Sequence, residues 1–557
     1  MKRDLQSLSQ ETFDVLIIGG GIYGAALARE AVLRGLKTAL IEQGDFAGGA
    51  SSNSLKIVHG GLRYLQHADF SRMRESITER RILLKIAPHL VRPLPCVMPT
   101  YGHFIKGSEA MRAAIMLNDL ISFDRNFGLK PDRRLPRGRM LSKQEFLDIV
   151  PFIRRESLNG GALWYDALMV NSERLLFAFL HSAVERGLTV ANYVKAENLL
   201  LEKNRVVGVT VYDRLGDQRF DVRARVTVAA PGSWLNGILR QTSDQPEVRF
   251  STAVNLVLSR RFTSEYAFAA PTQRRYKDQD ALIDRGSRLL FFVPWRGVTL
   301  AGTAHQPYLG DPADYRVTEE EVESFLAEVN SALPDAQIQR DEVRHVYAGL
   351  LPMASASPAG DVTLVKHYRV IDHEKSSGQS GLITVMSVKY TTARGVAEEV
   401  TRKFILPKLG IKSDTIDSSM MPLWGGDFED FSALIAELQR TWGDQLTEES
   451  ALHLAECYGA NARRVLSCDP EACRPLVPGH PFVKGQVLFA VREEAAHKLS
   501  DILQRRTEIG AAGRPAEELI LAASEAAAKE LNWSAEKKAR EIQEYLLNYV
   551  LPSKKNE

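Results

Sequence analysis

Side chains that can move protons or bind anions surround one glycine pair in the first part of the chain. Gly60-Gly61 is flanked by Lys56, His59, Arg63 and Tyr64. A histidine can accept a proton near neutral pH, and an arginine can hold a polar substrate. Glycines let a flat ring approach the backbone. The stretch is either a ligand-binding loop or a surface turn with scattered polar residues, and the segment before it decides between them.

That segment has the pattern of a strand, a glycine turn, a helix and a second strand. Residues 13–18 and 37–41 are short apolar runs typical of buried parallel strands, and a stretch of helical composition lies between them. G-x-G-x-x-G stands at the turn, and an acid ends the second strand. This is the fingerprint of a dinucleotide-binding unit. The residues that carry it are Gly19, Gly21, Gly24 and Glu42.

Each fingerprint residue has a physical task. Gly19 allows the tight turn, Gly21 lets the backbone approach a pyrophosphate, and Gly24 lets the helix pack closely on the strand. The N-terminus of the helix offers free amides and a positive dipole end to the phosphates. Glu42 can accept the hydroxyls of the adenosine ribose and would repel a 2′-phosphate, which disfavours NADP. The polar loop that follows is therefore predicted to bind a ligand.

The remainder of the chain favours FAD over NAD as the dinucleotide. An NAD-binding fold continues with strands and helices in regular alternation. Here the first unit leads into a small, polar loop with Ser51 and Ser52, and then into a long helical region. Segments with strand composition return only near residues 189–212 and 220–230. An interrupted nucleotide domain of this kind is typical of FAD proteins.

Composition limits the other function classes. A chain of 557 residues is too long for one core, and a net charge of +2 implies no strong field for nucleic acid. No apolar run is long enough for a transmembrane helix, and residues 1–10 lack the apolar core of a signal peptide. The 4 cysteines predict a reducing compartment and no metal site. We therefore expect a cytoplasmic protein.

Three motifs closely resemble the flavin-dependent glycerol-3-phosphate dehydrogenases. They read IIGGGIYGAALA, SSNSLKIVHGGLRYLQ and RRILLKIAPHLV. SDILQRRT near the C-terminus is similar to the D-x-L-x-R-R-T of the family's helical domain. The glycine motif alone indicates a flavoprotein, whereas HGGLRYL together with the helical tail is specific to this family. The resemblance runs essentially from end to end.

The resemblance implies a fold class and a division of the chain. The expected architecture is an α/β Rossmann-like FAD-binding domain interleaved with an α+β substrate domain built on an antiparallel sheet, followed by an all-α C-terminal domain. We expect the FAD domain to be assembled from three segments of the chain. The expected segments are 1–100, 151–250 and 356–406 for FAD binding, 101–150 for a helical insertion, 251–355 for the substrate sheet and 407–557 for the helical domain.

The resemblance also implies site residues. A helix beginning near Lys389 would point its N-terminus at the flavin pyrimidine. Contacts to FAD are expected from Gly19, Gly21, Ile22, Tyr23, Gly24, Glu42, Ser51, Ser52, His59, Gly60, Gly61, Leu62, Val194, Gly232, Lys389, Thr391 and Thr392. Contacts to a small-molecule substrate are expected from Arg63, Tyr64 and Lys366. The catalytic candidates are His59, Arg63, Lys389 and His305.

This chain departs from the family at the substrate side. The G-x-R-P arginine of the family is replaced by Leu351, and a second arginine aligns with Lys366. Arginine grips phosphate with two parallel hydrogen bonds, and lysine is only a point charge. Losing one arginine and weakening another would cost about 2–5 kcal/mol of phosphate binding if both were desolvated. Either Arg63, Lys366, Lys389 and His305 still hold a phosphate, or the substrate is not glycerol 3-phosphate.

The expected reaction is oxidation of a secondary alcohol, with His59 or His305 as the base and hydride transfer to the flavin. The main hypothesis is a dehydrogenase of glycerol 3-phosphate or a related polyol phosphate, with quinone or oxygen as electron acceptor. The alternatives are a flavoenzyme for a different small hydroxy or amino substrate and a flavin-binding paralogue without activity.

Residues 104–127 combine apolar and basic side chains. Such a segment either lies on the inner face of the cytoplasmic membrane as a peripheral contact or packs against the FAD domain. A homodimer is a further expectation.

Overall fold

The computed structural model describes residues 1–102, 107–244, 247–275, 287–357, 360–386, 389–412 and 414–552. The side chains of Arg63, Arg274, Arg275 and Ser287 lie outside the description as well. Among the helices in these ranges, none combines the length and the hydropathy needed to cross a bilayer.

Strands occur throughout the first 386 residues. Within the described residues they are, in chain order, β1 (Thr12–Ile18), β2 (Thr38–Ile41), β3 (Ile57–Val58), β4 (Val91–Tyr101), β5 (Arg139–Leu141), β6 (Leu158–Met169), β7 (Thr189–Ala191), β8 (Val194–Glu202), β9 (Arg205–Asp213), β10 (Gln218–Ala229), β11 (Phe250–Leu258), β12 (Ala267–Arg275), β13 (Ser287–Trp295), β14 (Val298–Ala304), β15 (Pro307–Tyr308), β16 (Val343–Ala356), β17 (Val362–Leu364), β18 (Arg369–Asp372) and β19 (Leu382–Met386).

Helices connect the strands and form the C-terminal region. A 3-10 turn over Leu62–His67 and π-helices over Thr401–Ile405 and Asp501–Arg506 accompany the α-helices. The α-helices are α1 (Leu5–Gln10), α2 (Ile22–Leu33), α3 (Phe70–Ile86), α4 (Ser108–Ile121), α5 (Lys143–Ile149), α6 (Ser172–Val184), α7 (Leu235–Leu239), α8 (Glu319–Ala332), α9 (His373–Ser377), α10 (Ala393–Val400), α11 (Leu406–Lys408), α12 (Phe431–Trp442), α13 (Glu448–Tyr458), α14 (Ala462–Leu466), α15 (Lys484–Glu493), α16 (Glu517–Leu531) and α17 (Ala535–Leu547).

The first sheet positions the glycine turn. In the described part of the chain it has eight strands in the order β18-β19-β10-β1-β2-β7, with β8 and β9 beside β10. The strands from β19 to β7 run parallel. The carboxyl ends of parallel strands meet at one edge of a sheet. Gly19 and Glu42, which follow β1 and β2, therefore lie at the same edge.

The second sheet is larger and mostly antiparallel. Its eleven described strands follow the order β17-β16-β11-β14-β13-β12-β4-β6-β3, with β15 and β5 at its sides. One face packs on α8 through Val322, Phe325 and Val329. The other face carries Trp295 and Tyr347 and packs against the segment that leads to His59. This sheet therefore covers the predicted ligand loop.

The predicted fold class is confirmed, and the sheet order adds a detail that differs from the predicted segments. β3, β4 and β6 belong to the second sheet, although residues 1–100 and 151–250 were assigned to FAD binding. β4 and β6 pair along almost their whole length. An apolar run of this kind does not reveal in the sequence which sheet it joins. The division into six segments as such stays a prediction.

The C-terminal helices are tied to the first sheet by buried ion pairs. Arg505 and Arg506 of the second π-helix both contact the carboxylate of Asp45, three residues after Glu42. Tyr193 donates to Asp501 at 2.7 Å. A buried charge is tolerated where it is paired and hydrogen-bonded. The helical domain thus contacts the loop that follows the predicted ribose carboxylate.

Candidate active site

The glycine turn admits no larger residue at two of its positions. Gly19 has φ +113°, and a Cβ there would collide with the carbonyl oxygen of Ala230. A Cβ on Gly24 would collide with the carbonyl oxygen of Gly19. Gly21 is the N-cap of α2 and provides no side-chain cap. The start of α2 is therefore lined by backbone and by the hydroxyl of Ser51, and its amides suit a phosphate.

Glu42 and Ser51 complete the polar lining near this turn. The carboxylate of Glu42 accepts from the amides of Gly20 at 2.6 Å and Gly44 at 2.8 Å. Burial raises the pKa of Glu42, and these two amides oppose the rise. Ser51 Oγ accepts the amide of Ile22 at 3.0 Å. The carboxylate stands at the end of β2, where a ribose is expected to bind.

The start of α10 meets the start of α2. The Tyr23 hydroxyl donates to the carbonyl of Lys389 at 2.9 Å, and Thr391 and Thr392 are buried at the N-terminus of α10. Gly232, after β10, has φ +59° and open space where a side chain would stand. Two helix N-termini, a carboxylate and glycine-lined backbone fit an adenine dinucleotide that carries a flavin.

His59 is paired with Asp166, a residue for which the sequence predicted no role. Nδ1 of His59 lies 3.3 Å from Asp166 Oδ2. The other carboxylate oxygen accepts from the amide of Gly60 at 2.6 Å and from Arg80 Nη1 at 2.7 Å. Trp164 Nε1 donates to Oδ2 at 3.3 Å. His59 is 40% exposed, whereas Asp166 is buried.

The pKa of Asp166 reflects this environment. Burial raises it, but the hydrogen bond from His59, the charge of Arg80 and the amide of Gly60 outweigh burial and hold the pKa well below its ordinary value. The carboxylate therefore stays ionised at neutral pH and accepts the Nδ1 proton of His59. With Nδ1 protonated, the lone pair of the imidazole is on Nε2. His59 is thereby set up as a proton acceptor.

Lys389 and Tyr64 lie together on the other side of the Gly60-Gly61 pair. Lys389 Nζ donates to the Tyr64 hydroxyl at 2.8 Å and to Ser76 Oγ at 2.6 Å. Arg72 of α3, which the sequence did not single out, packs on the ring of Tyr64. Contacts between segments so distant in sequence leave no local signal, and this explains why Arg72, Arg80 and Asp166 were missed.

The structure places the other predicted residues as follows. His305 lies beside α8, in a pocket with Glu321 and Phe325, and its Nδ1 is 2.9 Å from the carbonyl of Thr252. Val194 donates its amide to the carbonyl of Glu42 at 2.7 Å.

The residues that replace the family arginines lie on two different elements. Leu351 lies on β16 and shares a face of that strand with Gly349. A Cβ built on Gly349 would contact Ala50, which belongs to the loop before His59. Lys366 lies in the loop between β17 and β18. The side chain of Arg63 is outside the described part, so its predicted roles stay predictions.

The glycine turn, the carboxylate that follows β2 and the helix N-termini fit a dinucleotide cofactor, and the comparison with protein families identifies the class as the FAD-dependent oxidoreductases. A family model described as FAD dependent oxidoreductase matches residues 14–403, and the C-terminal domain of alpha-glycerophosphate oxidase matches residues 417–538.

A glycerol-3-phosphate dehydrogenase of Synechocystis sp. is 33% identical over 91% of this chain and 90% of its own length. An alpha-glycerophosphate oxidase of Streptococcus pyogenes is 30% identical over 97% of this chain and 95% of its own. The FAD complex of a glycerol-3-phosphate dehydrogenase from Bacillus halodurans superposes with a TM-score of 0.74 and 25% identity, covering 98% of this chain and 96% of that one.

The chain belongs to the FAD-dependent glycerol-3-phosphate dehydrogenase family. The predicted family, the oxidoreductase class and FAD as cofactor are thereby confirmed. The individual site residues stay predictions, which the geometry above supports to different degrees.

Proposed function

We propose that this protein oxidises glycerol 3-phosphate, or a related polyol phosphate, at its secondary hydroxyl to the ketone. The observation that carries the proposal is the His59–Asp166 pair, which provides a positioned proton acceptor beside the glycine pair. The names of its relatives support the substrate. Anaerobic mixing of the FAD-loaded protein with glycerol 3-phosphate and a panel of alcohols and amines tests it, because only the true substrate bleaches the flavin.

Each side chain has a defined task in this reaction. FAD, when bound, supplies the hydride acceptor. Nε2 of His59 takes the proton of the substrate hydroxyl, and the ionised Asp166 stabilises the imidazolium that results. Arg80 and the amide of Gly60 hold Asp166 in place. Lys389 lies three residues before the N-cap of α10, and its ammonium donates to the Tyr64 hydroxyl and to Ser76.

The second candidate is oxidation of another small hydroxy or amino compound on the same scaffold. Leu351 and Lys366 favour it, because they replace the arginines that the family resemblance predicts. In the same anaerobic panel, bleaching by an unphosphorylated alcohol or an amine, with no response to glycerol 3-phosphate, would establish this alternative.

Replacing Asp166 with asparagine should lower the rate of flavin reduction about 100-fold, because the imidazole loses its orienting carboxylate. Stopped-flow flavin reduction measures the effect.

Trp164→Phe is the matched control for this variant. It removes one donor to Asp166 Oδ2 and leaves the carboxylate charge intact. We expect its rate of flavin reduction to stay close to that of the wild type. If Asp166→Asn also reduced its flavin at that rate, Asp166 would not act through His59.

We propose quinone as the electron acceptor, with oxygen as the alternative, since both dehydrogenases and an oxidase are among the relatives. A lipid-soluble acceptor suits contact with a membrane. Steady-state turnover with a soluble quinone, compared with turnover in air-saturated buffer, distinguishes the two.

A homodimer also stays a proposal, and light scattering on the purified protein tests it.

α4 and the turn after it provide the surface for contact with a membrane. Met111 and Ile115 are buried, and the opposite side exposes apolar groups. Arg74 lies over the ring of Phe123, and Arg81 lies over the ring of Phe127. Both arginines pair with Asp124. Apolar side chains beside cations suit the surface of an anionic bilayer. The exposed groups are Met116, Leu117, Leu120, Phe123 and Phe127.

Sedimentation with phosphatidylglycerol vesicles tests this surface. We expect the wild type to sediment and the double variant Phe123→Ser, Phe127→Ser to stay in the supernatant, because its apolar insertion is lost. Leu309→Ser is the control, since Leu309 is 89% exposed elsewhere on the molecule. Equal sedimentation of the double variant and the wild type would reject membrane contact through α4.

A further inference from the structure

Two cations share the phenol ring of Tyr64. Lys389 Nζ donates to the Tyr64 hydroxyl at 2.8 Å and lies 4.8 Å from the ring centre. The guanidinium carbon of Arg72 lies 4.0 Å from the same centre. Burial raises the pKa of Tyr64, but the charges of Lys389 and Arg72 outweigh burial and hold that pKa below its ordinary value. We call these three residues the Tyr64 cluster.

Two hydrogen-bond donors on the side chain of Arg72 are not bonded to any acceptor among the described residues. Within the described residues, its buried Nε and Nη1 atoms have no hydrogen-bond partner. Asp69 lies 3.6 Å from Nη1, beyond hydrogen-bond distance, and lies equally far from His367. A guanidinium presents its donors as a planar fork, which matches an anion with several oxygens.

The acidic groups nearby compensate these charges only in part. Asp69 is shared between Arg72 and the loop that contains His367. Burial raises the pKa of Glu75, the other acid near Lys389 and Arg72, and so disfavours its charged form. An additional anion would therefore be stabilised beside Arg72 and Lys389.

The cluster joins both parts of the candidate site. Tyr64 lies in the 3-10 turn that follows His59 and the glycine pair, and Lys389 lies three residues before Thr392, the N-cap of α10. An anionic group held at Tyr64 would thus lie against the same loop that carries the proton acceptor His59.

We propose that Arg72, together with Lys389 and Tyr64, binds the phosphate group of the substrate and sets the preference for phosphorylated alcohols. This inference rests on the proposed function. The resemblance predicts a phosphate-binding arginine where this sequence has Leu351, and Arg72 supplies a guanidinium from α3 instead. A guanidinium can bind two oxygens of one phosphate at once, which a single ammonium cannot do.

Arg72→Gln and Arg72→Lys test the proposal on the FAD-loaded protein. For Arg72→Gln we expect the apparent dissociation constant of glycerol 3-phosphate, measured by anaerobic stopped flow, to rise about 30-fold, with the limiting rate of flavin reduction nearly unchanged. Arg72→Lys should recover only part of the affinity. Arg74→Gln is the matched control, because Arg74 lies on the same helix and pairs with Asp124 instead.

Calorimetry with inorganic phosphate provides a second measurement that does not depend on turnover. The wild type and Arg74→Gln should bind phosphate, and Arg72→Gln should not. Wild-type oxidation of glycerol 3-phosphate with equal affinities in Arg72→Gln and Arg74→Gln would overturn the role of Arg72 and leave the proposed function standing. Phosphate binding that depends on Arg72, without flavin reduction by glycerol 3-phosphate, would support the anion site and refute the proposed function.

Discussion

Replacing Gly24 with alanine should lower the affinity for FAD at least about 100-fold, which corresponds to about 2.7 kcal/mol. The added Cβ would meet the carbonyl oxygen of Gly19, which is backbone and cannot rotate away. α2 must then move away from β1, and its first amides leave the position that a pyrophosphate needs. Fluorescence titration of the apoprotein with FAD measures the effect.

Gly237→Ala is the matched control for the glycine turn. Gly237 also lies in a helix, and no atom stands within 4 Å of an added Cβ. We expect this variant to bind FAD as the wild type does, and both variants to keep the far-UV circular dichroism of a folded protein. If Gly24→Ala bound FAD as tightly as Gly237→Ala, the turn would not hold the dinucleotide.

Replacing His59 with asparagine should slow flavin reduction by about 10²- to 10⁴-fold, the usual contribution of a positioned general base. Asparagine retains a hydrogen-bonding side chain near Asp166 but cannot accept a proton. The rate is expressed per bound FAD, because His59 is also among the expected FAD contacts. Single-turnover reduction under anaerobic conditions measures the chemical step directly.

His305→Asn decides between the two histidines that the sequence proposed as bases. Since His305 lies in a pocket beside α8 with its Nδ1 2.9 Å from the carbonyl of Thr252, we expect its reduction rate to stay within about threefold of the wild type. A large loss of rate in His305→Asn, together with a normal rate in His59→Asn, would reverse the assignment of the base.

The parts of the fold that follow local rules could be predicted from the sequence. Gly19, Gly24 and Glu42 are set by a fixed spacing between two buried strands, and the structure places them at one edge of the parallel sheet. The all-α C-terminal domain was expected over residues 407–557, although its SDILQRRT motif forms a π-helix over Asp501–Arg506 rather than an α-helix.

The parts that depend on long-range contacts could not be predicted. β4 and β6 are apolar runs whose sheet is fixed by their partners, not by their own residues. Asp166 is separated from His59 by 107 positions, and Lys389 from Tyr64 by 325. No periodic pattern connects residues at such separations. The same reason hides Arg72, which becomes notable only because its guanidinium packs against Tyr64.

The anaerobic reaction of the FAD-loaded protein with glycerol 3-phosphate tests the central claim most directly. We predict that the bound flavin loses its visible absorption in a single turnover, and that the product is the ketone of the same carbon skeleton. A protein that binds FAD but stays yellow with saturating glycerol 3-phosphate, and with every related polyol phosphate, would contradict it.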